Sequence, residues 1–225
     1  MTTPAPVLTA RRWRSRRSAA VAGILFGVLL VAALVMLRVG VAGGNLEQAE
    51  LSPGRQTLVR LSLNLVPFAG IAFLWFIGVV RDQLGDVEDR LFSTVFLGSG
   101  LLFLAMLFQG AVTATTLVRM VPDAQLDAGI WAFGQGTTET LVSVYAMRMA
   151  AVFTLSVSTV ALRTATVHRG IAFSGYAVAL VLLLAAGTYK WAQLVFPVWV
   201  LVLSIAILVT PARSRAVVDP AAPVG

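Results

Sequence analysis

The chain has 225 residues, 58% hydrophobic and 12% charged, with a mean hydropathy of +0.88 and a formal net charge of +7. Soluble domains carry about 25% charged residues, so a water-solvated core is excluded and lipid is the expected solvent for most of the polypeptide. With no Cys and one His, disulfides, thiolate nucleophiles, a Cys/His zinc site and a haem held by two histidines of this chain are excluded too; no metal and no cofactor is expected.

Residues 1–17 read as a basic cytoplasmic tail, closing on Arg11, Arg12, Arg14, Arg16 and Arg17. Such a cluster beside an apolar run is a positive-inside anchor. The run that follows, Ser18 to Leu37, exceeds the apolar centre of a cleaved signal and is expected to stay as a helix. Gly23 and Gly27 form a GxxxG within it, which marks where a partner helix can approach. Gly43 to Arg55 is a polar connector with Glu47 and Glu50.

The second expected span, Leu58 to Val80, contains Pro67. Proline removes one helical hydrogen bond, and Asn64 is placed to satisfy a freed backbone group or to line a polar path. Asp82, Asp86, Glu88 and Asp89 crowd the next connector between Arg81 and Arg90. They lack the spacing of a calcium loop, so a self-paired solvated loop is expected. Leu91 to Val118 makes the third span, with Gly98-Ser99-Gly100 and Gln109 inside it. Arg119 to Gly136, with Trp131 and Phe133, reads as an interfacial segment.

Thr138 to Leu162 is the fourth span, and Arg148 stands near its middle. A guanidinium at the bilayer centre costs about 2.5–3.5 kcal/mol on insertion scales and cannot shed its proton. Arg148 is therefore expected to be sheltered inside the bundle. At 100° per residue Thr137, Leu141, Tyr145, Leu155 and Thr159 fall near its face, while Ala146, Ala150, Thr154 and Ser158 form a small-residue stripe suited to close packing. Glu139 lies nine residues before Arg148, half a turn out of phase. Ile171 to Gly187 and Trp191 to Val209 complete six spans, and 210–225 is expected to be a cytoplasmic tail.

Counting Lys and Arg with the N-terminus inside places eleven on the inner segments and five on the outer ones, the asymmetry expected when both ends face the cytoplasm. The basic residues sit at span ends, so no nucleic-acid partner is expected. Ser99 and the lone His168 fall at different depths, which argues against a serine nucleophile with a His base.

The stretch from Asn64-Leu-Val-Pro-Phe-Ala-Gly through Trp75-Phe-Ile-Gly-Val-Val-Arg-Asp82, and on through Glu88-Asp-Arg-Leu-Phe92 to Gly98-Ser-Gly100, resembles uncharacterised multi-pass integral membrane proteins of actinobacteria. It covers the second and third spans, and the resemblance implies no activity.

The expected fold is an all-α integral membrane protein, a six-helix transmembrane domain over residues 18–209 in a bacterial plasma membrane. The expected function is non-enzymatic: a packing subunit or lipid-interacting component, with the bilayer and a membrane protein or second copy as partners. A small transporter or channel with Arg148 in an anion or proton-coupled path is the second reading, and a lipid-acting intramembrane enzyme the third. Arg148, Glu139, Tyr145, Asn64 and Gln109 form the candidate polar site.

Overall fold

The computed structural model describes residues 7–41, 53–84, 90–120, 127–164, 168–189 and 191–209. Most of the acidic connector, the polar connector with Glu47 and Glu50, Lys190 and the C-terminal tail lie outside the described residues. Among the described residues there are only helices: α1 (Val7–Val41), α2 (Pro53–Leu84), α3 (Arg90–Met120), α4 (Ala128–Thr140), α5 (Met147–Thr164), α6 (Arg169–Ala185) and α7 (Val195–Val209). A π turn, Leu141–Ala146, joins α4 to α5 without a break, and a 3₁₀ turn, Ala192–Leu194, leads into α7. The result is six helical rods.

Five rods are long and apolar enough to cross a bilayer, by length and composition; α6 is shorter. Trp75, Phe68, Leu184 and Val209 are each more than 60% exposed on the flanks. Large side chains left outward while all backbone bonds close within helices suit a hydrocarbon solvent.

Phenylalanine fills the middle. Phe26, Phe73, Phe76, Phe96, Phe103, Phe153 and Phe196, from five rods, are fully buried. Phe153 stands 5.0 Å from both Phe73 and Phe96 and 6.2 Å from Phe196, centroid to centroid, distances at which stacked, tilted and edge-on rings attract. Where lipid is the solvent there is no hydrophobic reason for rods to associate, and tight dispersion packing of this kind holds them together.

Small residues set the rod spacing around that cluster. The stripe Ala146, Ala150, Thr154 and Ser158 is completely buried, and α5 touches α2, α3, α6 and α7. The Gly23/Gly27 pair also packs within the chain. Gly23 lies against Ser204 of α7 and Phe76 of α2, and a Cβ at Gly27 would stand 3.0 Å from the Pro197 carbonyl oxygen. At Gly100 a Cβ would come within 2.7 Å of Ile77 and 3.2 Å of Phe153, so the Gly-Ser-Gly motif is a packing notch. Ser99 is buried and donates to the Phe96 carbonyl at 3.1 Å.

Pro67 is accommodated inside a continuous α2. Asn64 takes no part in that: it is exposed and makes no hydrogen bond with a described residue. The segment expected at the interface after Arg119 is helical from Ala128 and packs along the end of α3, with Gly134 against Leu117. It extends the rod that carries Arg148, because Asp127 caps its start by accepting from the Gly129 amide at 3.3 Å and nothing interrupts the winding thereafter.

Candidate functional site

The rod from Ala128 to Thr164 changes its winding at Leu141–Ala146. A π turn carries one residue more than an α turn, so the faces before and after it slip by about 100°. The face read from a uniform period therefore breaks up. Thr137 and Leu141 are half-buried, whereas Tyr145 and Arg148 are exposed. Arg148 is not sheltered inside the bundle, contrary to the sequence expectation: the buried side of α5 is taken by the small-residue stripe, and the guanidinium points off the opposite flank. It makes no hydrogen bond or ion pair with a described residue.

The π turn is tied to the end of the bundle where α6 meets α7. Ser143 Oγ donates to Gln193 Oε1 at 3.2 Å, and Gln193 is buried. Gly187 turns the chain with φ +83°, the left-handed region that side chains disfavour; a Cβ there would also meet Val144 at 2.8 Å. Residues 143 and 144 thus lie level with the Gly187 turn. Arg148 stands only about 6 Å further into the bundle along the helix, and Arg163, at the opposite end, is about 22 Å away by the same rise.

The remaining candidates do not join it. Glu139, Asn64 and Gln109 are exposed on the π-turn rod, α2 and α3 respectively. The Gln109 carbonyl accepts from Thr113 Oγ1 at 3.0 Å, and the structure gives the side chains of Glu139, Asn64 and Gln109 no described partner. Among the described residues, polar groups meet between rods at Ser143 with Gln193, at Thr159 Oγ1 with Tyr176 OH at 2.8 Å, and where Trp199 Nε1 donates to Ser174 Oγ at 3.2 Å. Each pins one rod to another. Ser143 and Tyr176 carry no motif, and only the fold brings them to their partners.

His168 caps α6, its Nδ1 accepting from the Gly170 amide at 3.1 Å. An apolar crevice of about 20 Å³, room for about one water, lies among α1, α2, α3 and the π turn, against Leu34, Leu63, Leu107 and Val142. Two hydroxyls border it, and both are engaged: Ser62 with the Val59 carbonyl and Thr138 with the Gly134 carbonyl. Among the described residues no group of three His, Asp or Glu is gathered to hold a metal ion.

Comparison with protein-family models, curated proteins and solved structures found no match.

Proposed function

We propose that the chain is a non-enzymatic integral membrane component that works through its outer surface, meeting lipid and neighbouring membrane chains. It crosses a bacterial plasma membrane six times with both ends in the cytoplasm, the Gly187 turn on the outer side and His168 on the inner. The observation that carries this reading is the sealed interior. Seven phenylalanines occupy the centre, and the five polar candidates lie exposed on the flanks.

A transport path needs groups that replace the hydration of its solute. Fully buried rings at 5–6 Å spacing offer none. The 3₁₀ turn supplies the rest of the sixth crossing, and α6, at 17 residues, spans about 25 Å, enough for a slightly thinned bilayer.

The test is reconstitution of the purified full chain in liposomes. No flux of protons, chloride or phosphate above protein-free vesicles is expected, together with recovery from mild detergent of bound lipid, a second copy or a partner chain. A lone copy that carries any of these ions would overturn the reading.

A further inference from the structure

We propose that Arg148 and Tyr145 hold the phosphate of a phospholipid in the leaflet at the Gly187 end of the bundle. This rests on the membrane reading above and names the ligand class for one flank of it. Arg148 carries a cationic guanidinium, is exposed, and has no partner among the described residues. In hydrocarbon such a cation needs an anion or water within reach.

The depth is right for a headgroup. Val144 touches the Gly187 turn, and beside that turn Tyr189 and Trp191 are 69% and 59% exposed, an aromatic level that marks a membrane interface. Arg148 begins about one helical turn below it, and a long side chain rises that far by lying along the helix. Tyr145, three positions nearer the interface, is 53% exposed and offers a hydroxyl donor. The planar guanidinium supplies two parallel N–H donors to one phosphate. Glu139 is about 13 Å from Arg148 along the rod, and the two form no ion pair.

The flank itself favours lipid over a partner helix bearing a carboxylate. Small residues that let helices approach closely are buried inside at Ala146, Ala150, Thr154 and Ser158. The outward side chains here are bulky: Tyr145 one turn from Arg148 on the same rod, and Leu180 and Leu184 on α6, which packs against α5. Flexible acyl chains pack on such a surface more readily than a second rod.

The experiment is native mass spectrometry of the full chain released from micelles doped equally with phosphatidylglycerol and an uncharged diglycosyl diacylglycerol of matched chains. The wild type should retain the phospholipid preferentially. Arg148→Leu and Arg148→Gln should lower that preference about tenfold, as for loss of a charge-assisted hydrogen bond, while Arg148→Lys keeps part of it. Thermal melting of Arg148→Leu should equal or exceed wild type, showing that it folds. An unchanged preference in Arg148→Leu overturns the proposal, as does displacement of lipid by millimolar inorganic phosphate. Loss of a dimer with unaltered lipid retention overturns it in favour of a carboxylate from a second chain. Because lipid retention and ion flux are separate measurements, this proposal can fail while the non-transporting reading stands.

Discussion

Gly175 of α6 faces Ser158 of α5 with no room for a methyl group between them. A Cβ at Gly175 would collide with Ser158 Oγ and stand 2.6 Å from Trp199 Cζ2. The same Ser158 hydroxyl is buried without a hydrogen-bond partner among the described residues. Close approach of the two backbones therefore wins over satisfaction of one hydroxyl. Gly175→Ala should destabilise the protein by about 1–3 kcal/mol, the usual cost of overpacking, read as a lower melting temperature in detergent. Ser158→Ala alone should be neutral or slightly stabilising, since it removes an unpaired polar atom. Combined with Gly175→Ala, it should recover part of the loss.

Phe153 touches Phe73, Phe76, Phe96 and Phe196, so its removal leaves a void bordered by four rods. Phe153→Ala should cost about 3–5 kcal/mol. Phe153→Leu should cost less, because most of the volume remains. Unfolding in graded denaturing detergent ranks the three proteins, and a Phe153→Ala variant as stable as wild type would show that the ring cluster does not hold the bundle.

The π turn predicts an unusual tolerance. Deleting Ser143 or Val144 converts the segment to α winding and keeps the phase of α5 against its neighbours; such a variant should still elute as a folded species in size-exclusion chromatography, with a reduced melting temperature from the lost contacts to Gln193 or Gly187. Deleting one residue at Val152 has no surplus to absorb it. That deletion rotates the small-residue stripe by about 100°, and expression should collapse.

A chain without cysteine permits clean labelling. A cysteine placed at Glu139 should react with an impermeant maleimide from outside intact cells. One at His168 should react only after permeabilisation, and one at Arg148 slowly and from the outside. Reaction of His168→Cys from outside would reverse the orientation.

The apolar runs made the helices legible before any coordinates. Long stretches without charge can hide backbone polarity only by winding into helices, but the helices outrun the apolar runs: α1 begins at Val7 inside the expected tail, and the fourth rod begins at Ala128 rather than Thr138. The buried stripe from Ala146 to Ser158 was legible for a related reason: it starts at the last residue of the π turn and runs on through α5, so a simple period holds. The surroundings of Arg148 were not. They depend on the π turn, which no residue type announces, and on the level at which a non-neighbouring turn at Gly187 meets Val144.

Composition and period thus determined by themselves that the rods exist, that most are apolar and long enough to cross a bilayer, and which side of α5 packs. Tertiary structure alone decided that Gly23 and Gly27 are spent within the molecule, that Ser143 meets Gln193 fifty residues away, and that the guanidinium of Arg148 looks outward. The physical reason is that winding is local, closed by bonds four or five residues apart, whereas the direction a side chain faces depends on which rods stand beside it and at what height.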